Sequence, residues 1–289
     1  MWEAFDGRPH ELRMGLRPLL PTAWTVIAPP PDHAAELDRK AALLAGPEAD
    51  DVLADGGDDG ARAAGRELRD ALIAHLVRDH PDRYGSDGSS VTLADDARTW
   101  AVAEYAPLDL AGRIVSEDWC LVRPGDPPVL AAATLCSPNR WRLREKLGLP
   151  VTDIHDPVPG YRGRLGAPVD AVLANRRNAV WRRNWSILSS PSRFQPHNDG
   201  PENPEIPAQV WVRSEYETLV RLPVTGWWVF GIHTSVRPIV DVADRPELLA
   251  NIRVAVASLD PDSVIYKDMA GWCDRLLGWI DTRLGVTAD

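Results

Sequence analysis

The sequence has few cysteines, and it lacks the glycine-rich and histidine-rich motifs of the common cofactor sites. Its three cysteines, Cys120, Cys136 and Cys273, lie far apart and form no CxxC pair. They are too few for a cysteine-only iron–sulfur cluster, which takes four thiolates, and their spacing is typical of free thiols in a reducing compartment. The motifs GxGxxG, GxxxxGKS/T and HExxH are also missing. The motif content therefore indicates no flavin or nicotinamide site.

Long apolar runs and an excess of positive charge are missing as well. The apolar stretches end at charged residues or prolines well before the roughly 18 residues that a membrane helix needs, and the first ten residues contain no basic and apolar leader. We therefore expect a cytoplasmic protein with no membrane partner. The formal net charge is -10, whereas nucleic-acid-binding proteins concentrate Lys and Arg on one face. No nucleic-acid partner is expected either.

The composition is that of a globular protein with an unusual choice of aromatic residues. With 289 residues, of which 44% are hydrophobic and 26% charged, the chain is long enough to bury one substantial core. It contains twelve tryptophans but only three phenylalanines. A large ring with one polar N–H suits a big apolar pocket, although most of these tryptophans are expected to fill the core.

The hydrophobic pattern predicts an α+β fold with helices flanking an antiparallel sheet. The predicted elements are helices at 32–44 and about 60–80, a hairpin at 113–135, a short helix at 137–148, a hairpin at 209–236, and helices at 244–259 and 265–280. Ser137 and Asp244 are predicted as helix-capping residues. Residues 1–30, residues 47–60 and the Arg-rich connection before the second hairpin are predicted to be irregular.

The segment 154–161, IHDPVPGY, is the strongest candidate for a functional site. Proline fixes φ and lacks an N–H, and glycine admits positive φ, so His155 is held on a stiff loop from which it can reach into a pocket. The ordinary alternative is that His155 caps a helix end or satisfies a buried carbonyl. His75, by contrast, lies on the apolar stripe of a predicted helix and is expected to be a core histidine.

The second hairpin has a polar face that either meets solvent or lines a pocket. A two-residue period places Arg213, Glu215 and Glu217 on one face of the first strand. In a pocket, these groups would hold a cationic or hydrogen-bonding substrate. On the next strand, Gly231 would allow another group to approach the backbone closely, and His233 would share its face.

Several segments together resemble the haem-dependent oxidative N-demethylase α-subunit family. They are EDWCL at 117–121, SPNRWRLREKLGLPVTDIHDPVPGY at 137–161, RRNW at 182–185 and RSEYETLVRLP at 213–223, with RMGLRPL at 13–19 and DRKAALL at 38–44. The resemblance covers nearly the whole chain. It implies one haem-binding, PAS-like domain over residues 1–289, with a wrapping segment to about residue 60 and C-terminal helices from about residue 244.

The resemblance also implies a cofactor, a reaction and a partner. Members of the family bind haem b and use O₂ to oxidise a C–H bond next to the nitrogen of a secondary or tertiary amine, which releases an aldehyde and the dealkylated amine. Their electrons come from partner subunits that carry flavin and an iron–sulfur centre. An external reductase agrees with the absence of any motif for an electron carrier in this chain.

Haem iron needs an axial ligand from the protein, and neutral imidazole is the commonest donor in oxygen-handling proteins. We predict His155 as this metal ligand, because it has both the rigid setting and the family motif. The rivals are His233 and Cys120, although an apolar strand around Cys120 favours a small core residue. Arg140, Arg183 and Arg213 are candidates for binding the haem propionates.

Two departures from the family pattern fall on the second hairpin. The family reads close to RxERQTL where this chain has RSEYETL, so Tyr216 and Glu217 replace an arginine and a glutamine. Similarly, IRTY is replaced by IHTS, with His233 and Ser235 in the changed positions. Tyr216, Glu215 and Glu217 are the candidate catalytic residues, and a carboxylate here could balance a protonated amine.

Three other functions remain open. The first is a different haem-dependent oxidation in specialised metabolism, since the departures change the hairpin expected to border the pocket. The second is a PAS-like haem sensor without catalysis, although the chain has no attached output segment. The third is a non-haem metal hydrolase that uses His155, His233 and Glu215.

Overall fold

The structure is a computed structural model that describes residues 2–54 and 57–286. A seven-stranded sheet forms its centre, in the order β1-β8-β9-β10-β6-β7-β2, with every neighbouring pair antiparallel. The strands are β1 (Arg17–Pro18), β2 (Leu53–Ala54), β3 (Tyr84–Ser86), β4 (Ser90–Leu93), β5 (Arg98–Ala101), β6 (Asp118–Arg123), β7 (Val129–Thr134), β8 (Val180–Leu188), β9 (Trp211–Arg221) and β10 (Trp228–Pro238). Strands β3, β4 and β5 form a separate small sheet.

Helices lie before, between and after these strands, so the predicted α+β class is confirmed. They are α1 (Asp32–Ala45), α2 (Ala49–Val52), α3 (Asp59–Asp79), α4 (Pro107–Arg113), α5 (Leu143–Lys146), α6 (Val151–Ile154), α7 (Ala167–Asn175), α8 (Pro246–Ala257), α9 (Pro261–Tyr266) and α10 (Cys273–Leu284). A π-helical turn, Arg162–Gly166, precedes α7. Across the described ranges, no helix is long and apolar enough to span a membrane.

The connectivity of the five central strands brings two hairpins side by side. Numbered 1 to 5 in chain order, β6 to β10 are arranged 2-1-5-4-3 across the sheet, because β10 pairs with β6. The chain between the second and third of these strands is long and contains α5, α6 and α7. This crossover packs over one face of the sheet and forms a wall of the cavity described below.

The opposite face of the sheet packs on α3 and α4 and forms the main core. Trp119 of β6 is fully buried there, and its indole N–H donates to the carbonyl of Ala111 at 3.0 Å. A Cβ added to Gly231 of the adjacent β10 would lie 2.6 Å from the Trp119 ring. The close approach predicted at Gly231 is therefore confirmed, and the group that approaches is a core tryptophan.

The predictions of α1, α3, α8 and both hairpins are confirmed, but four other predicted segments are wrong. Residues 47–60 contain α2 and β2 rather than only a loop, with Asp55 and Gly56 outside the described residues. The helix predicted at 244–259 is α8, although it begins at Pro246 and Asp244 does not cap it. The helix at 265–280 is two helices, since the chain turns at Asp268, whose φ is 54°.

The predicted helix from Ser137 to Gly148 shortens to the single turn of α5. The Ser137 N–H donates to the Asp118 carboxylate at 2.7 Å rather than starting a helix. Arg140 has a φ of 61°, outside the helical region, and its N–H donates to the Gln195 carbonyl at 2.6 Å. Hydrogen bonds to Asp118 of the sheet and to Gln195 thus replace the local helix.

The prediction of an irregular Arg-rich connection is also wrong, because this segment contains the π-helical turn, α7 and the nine-residue strand β8. From Asn184 to Ile187 its polar residues alternate with apolar ones, as expected of a strand with one polar face. Arg182, Asn184 and Ser186 point into the cavity, while Trp185 and Ile187 belong to the other side. Because Arg182, Arg183 and Asn184 are consecutive polar residues, the two-residue period of this strand is not evident from the sequence.

Candidate functional site

One large cavity lies between the crossover and the sheet. Its volume is about 840 Å³, near the upper end of the range of about 300–1,000 Å³ that is usual for ligand sites. The sheet contributes alternating side chains of β8, β9 and β10, which are Arg182, Asn184, Ser186, Glu215, Glu217, Leu219, Phe230 and Ile232. The crossover contributes residues of the 141–173 segment, and residues 10–16 and 260–267 complete the lining.

His155 lies on the crossover wall directly after α6. Its Nδ1 is 2.8 Å from the carbonyl oxygen of Val151. A carbonyl can only accept, so Nδ1 carries the proton and Nε2 keeps its lone pair. Burial lowers the pKa of His155, which keeps the ring neutral. Within residues 2–54 and 57–286 the His155 side chain has this one hydrogen bond, so the lone pair of Nε2 is available to a ligand.

The loop that carries His155 is fixed from both sides. On one side, the ring of Tyr161 stacks on the imidazole, with centroids 4.5 Å apart and planes 11° from parallel. On the outside, Arg162 donates to the carboxylates of Asp153 and Asp156 at 2.7 Å each. Gly160, with a φ of 74°, makes the turn that brings Tyr161 back onto the histidine.

The sheet side of the cavity holds two buried carboxylates with different partners. Glu217 pairs with Arg182 at 3.1 Å. The Glu215 carboxylate accepts from Asn184 at 2.9 Å and from the Nε of Arg213 at 2.8 Å. Burial raises the pKa of Glu217 to about 7, so this group can hold or release a proton near neutral pH.

Arg213 is close to the cavity but does not line it. Its side chain is completely buried, and besides Glu215 it donates to the carbonyls of Ser137 and Arg193, the latter at 3.1 Å. With its donors directed to these protein groups, Arg213 orients Glu215. The polar face predicted for β9 is therefore a cavity face, and Arg213, on the same face of the strand, supports Glu215.

The structure separates the other predicted residues into two groups. Arg140 lines the cavity and pairs with Asp268 at 2.7 Å. Arg183, Tyr216 and His233 lie on the opposite face of the sheet and are not brought to the cavity, because each has the other strand parity from Arg182, Glu217 and Ile232. Their contacts are with groups on that face.

Those contacts are specific. Arg183 pairs with Glu3 at 2.5 Å and lies over the Tyr216 ring at 5.1 Å. The Tyr216 hydroxyl donates to the carbonyl of Ala23 at 2.9 Å. His233 Nδ1 is 3.6 Å from a Glu117 carboxylate oxygen. Arg183 and Tyr216 therefore tie the N-terminal region to the sheet, and His233 contacts Glu117, the residue just before β6.

Cys120, the rival ligand, does line the cavity. Burial raises the pKa of its thiol to about 12, and a thiol is a weak metal ligand compared with a thiolate. Among the residues described, no group of three or more His, Cys, Asp and Glu side chains could hold a metal ion. A hydrolase site built from His155, His233 and Glu215 has no geometric support, since His233 lies across the sheet.

Sequence reasoning missed several residues that line the cavity. Arg182 and Asn184 belong to the RRNW motif, and a strand prediction over 180–188 would have placed them beside Glu215 and Glu217. Tyr161 ends the IHDPVPGY motif, but its stacking on His155 needs the three-dimensional turn. Lys267 has no signal in the sequence that could have revealed it.

The fold and the cavity define a class of protein: an α+β domain whose sheet and helical crossover enclose a large cavity, with the neutral imidazole of His155 on the crossover wall. Residues 15–277 match the family described as haem-dependent oxidative N-demethylase, alpha subunit-like. This match covers most of the chain, so the chain belongs to that family. Haem dependence and an oxidative activity are the family's properties.

Replacing Glu217 with glutamine should remove a pH-dependent destabilisation. As the pH rises from about 4.5 to about 7, the folded protein keeps a proton on Glu217 that the unfolded chain has released. Stability therefore falls through this window and stays lower above it. A shift of this size corresponds to about 3 kcal/mol, so the variant should gain up to about 3 kcal/mol over wild type near pH 8 and little near pH 4.

Denaturant unfolding at the two pH values measures this difference. Glu247→Gln on the exposed side of α8 is the control, and it should follow the wild-type pH dependence. If Glu217→Gln also follows it, the buried carboxylate is not the titrating group.

Proposed function

We propose that this chain is a haem-dependent oxidative enzyme that oxidises amines at a C–H bond next to nitrogen, and that His155 would hold the iron of haem b. The observation that carries the proposal is the hydrogen bond from His155 Nδ1 to the Val151 carbonyl. A metal-bound histidine commonly donates its second ring N–H to such an acceptor, which fixes the tautomer and raises the basicity of the ligating nitrogen. Nε2 is left as the ligating atom.

The residues of the cavity fit a porphyrin. An apolar zone next to His155 suits the faces of a flat macrocycle, and it includes Val151, Leu165 and Leu173 from the crossover and Val122, Leu130 and Phe230 from the sheet. Arg140 and Arg182 stand on the polar part of the lining and can bind propionates. We also propose that the 2-1-5-4-3 core with its helical crossover is the PAS-like arrangement, within one domain.

When bound, haem would supply the activation of O₂ and the oxidation of the substrate C–H bond. The chain's own residues would bind and orient the amine. Glu215 offers a carboxylate whose position is set by Arg213 and Asn184, and it can balance a protonated amine. Glu217 can accept the proton that such an amine must lose, because its pKa is raised to about 7.

Electrons would come from a redox partner, of the flavin and iron–sulfur type used by the family. The three cysteines are separate and buried, and an iron–sulfur cluster takes four thiolates. The three cysteines are too few to hold such a cluster, and we propose that the partner protein carries it.

Turnover of a panel of amines tests the proposal. Haem-loaded protein, a chemical or enzymatic reductant and O₂ should release aldehyde from secondary and tertiary amines but not from ethers of the same shape, since an ether carries no charge for Glu215. Glu215→Gln should lower kcat/KM for amines at least tenfold, as expected for the loss of a charge-assisted contact of about 1.5–3 kcal/mol. Haem binding without aldehyde release from any amine would contradict the enzyme and favour a sensor.

A further inference from the structure

A buried lysine occupies the cavity wall formed by the C-terminal region. Lys267 follows α9 and is only 8% exposed. Its Nζ donates to the carbonyl of Trp185 at 3.1 Å and lies 4.5 Å from the centroid of that tryptophan's ring. It forms no ion pair with any carboxylate in residues 2–54 and 57–286. An ammonium group with three donors therefore has one protein acceptor.

Burying the ammonium group of Lys267 costs free energy unless an anion lies next to it. Lysine is almost never fully buried unless it is paired, because the desolvation of its charge must be compensated. The nearby groups do not compensate it: Arg140 and Arg182 add positive charge, and Glu215 is the one carboxylate that acts on Lys267. Within the described residues Glu215 forms no ion pair with Lys267 and pairs instead with Arg213 at 2.8 Å.

Lys267 is therefore a cation of the cavity wall that has no ion-pair partner within the described residues. Arg140 shares its charge with Asp268 outside the cavity wall, whereas Lys267 has no such partner. Burial and the neighbouring cations lower the pKa of Lys267 to about 8, which still leaves the amine largely protonated at neutral pH. A carboxylate entering the cavity would meet a desolvated ammonium, where a charge-assisted hydrogen bond is strong.

We propose that Lys267, with Arg140 beside it, is a carboxylate-binding site inside the cavity. Two carboxylates fit this chemistry, that of an N-alkyl amino acid substrate and a propionate of the haem. The substrate version rests on the proposed function and deepens it: Glu215 and Glu217 would face the ammonium of a zwitterion while Lys267 holds its carboxylate.

Lys267→Met and Lys146→Met form a matched pair, since Lys146 lines the same cavity from α5. Calorimetry with haem-loaded protein compares N-methylglycine with dimethylamine, which lacks the carboxylate. A second titration compares haem b with its dimethyl ester. Wild type should bind the carboxylate form more tightly in one of the two comparisons, by about tenfold or more for a charge-assisted contact. Lys267→Met should abolish this preference, and Lys146→Met should retain it.

The two titrations distinguish a substrate carboxylate from a haem propionate. They also distinguish failure of the lysine site from failure of the proposed haem-dependent function. A lost preference for N-methylglycine assigns the site to the substrate, and a lost preference for haem b over its ester assigns it to a propionate. If wild type binds N-methylglycine no more tightly than dimethylamine, and haem b no more tightly than its ester, Lys267 is not a carboxylate-binding site. This result needs no variant, so the test remains valid even if Lys267→Met does not fold. If wild type takes up no haem, the proposed function fails, while N-methylglycine titrated into the haem-free protein still tests the lysine.

Discussion

Replacing His155 with alanine should abolish stoichiometric haem binding. The variant removes the one imidazole that the crossover presents to the cavity with its Nε2 free and its Nδ1 held by Val151. Loss of a partner that merely orients a metal ligand costs about 10–100-fold in affinity, so loss of the ligand itself should weaken haem binding by more than about 100-fold. Titration of haem into the purified variant, followed by its Soret absorption, measures this.

His233→Ala is the matched control for that prediction. His233 was a rival ligand from its sequence position, but it lies on the opposite face of the sheet, 3.6 Å from Glu117. Its removal should leave the Soret spectrum and the haem affinity unchanged. The account of the site is wrong if His155→Ala keeps the wild-type spectrum while His233→Ala loses it.

Replacing Arg213 with methionine should destabilise the protein by about 3–5 kcal/mol, the usual cost of removing one partner from a buried ion pair. Its guanidinium is fully buried and connects Glu215 to the Ser137 and Arg193 carbonyls. Without it, the Glu215 carboxylate keeps only Asn184 as a donor. Denaturant unfolding gives the loss of stability, and amine turnover gives the accompanying loss of orientation at Glu215.

Arg183→Met provides the comparison on the next strand. Arg183 pairs with Glu3, whose side chain is 71% exposed, and ion pairs that reach the solvent contribute about 0–1 kcal/mol. The two arginines looked equivalent in the sequence, yet their substitutions should differ several-fold in cost. Equal losses would show that Arg213 is not the buried support of Glu215.

The sequence carried the parts of the fold that depend on periodicity. Strands β9 and β10 alternate regularly, so the face that presents Glu215 and Glu217 could be predicted before its surroundings were known. Proline and glycine around His155 likewise predicted a rigid loop, and Gly160 does make a turn there. Local chemistry of this kind is readable because neighbouring residues determine it.

The missing parts depend on contacts between distant segments. Strand β8 was hidden because its polar residues face a cavity rather than a core, and a polar run in isolation resembles a loop. The helix expected after Ser137 gave way to a hydrogen bond with Asp118, nineteen positions earlier. Lys267 shows no pattern at all, since its burial arises from packing against Trp185.

Strand parity explains why only some candidate residues reach the cavity. Tyr216 alternates with Glu215 and Glu217, and Arg183 alternates with Arg182 and Asn184, so half of each motif must face away. The substituted positions, Tyr216 and His233, therefore change the packing behind the sheet. Among the substitutions in RSEYETL, Glu217 is the one that faces the cavity.

The most direct test of the axial ligand is rescue of His155→Gly by imidazole. The variant leaves a space beside Tyr161, so added imidazole should restore the Soret spectrum of the wild-type haem protein. This result is predicted if the Nε2 of His155 holds the iron in this cavity. A haem spectrum in His155→Gly that is already that of wild type without imidazole would contradict the account.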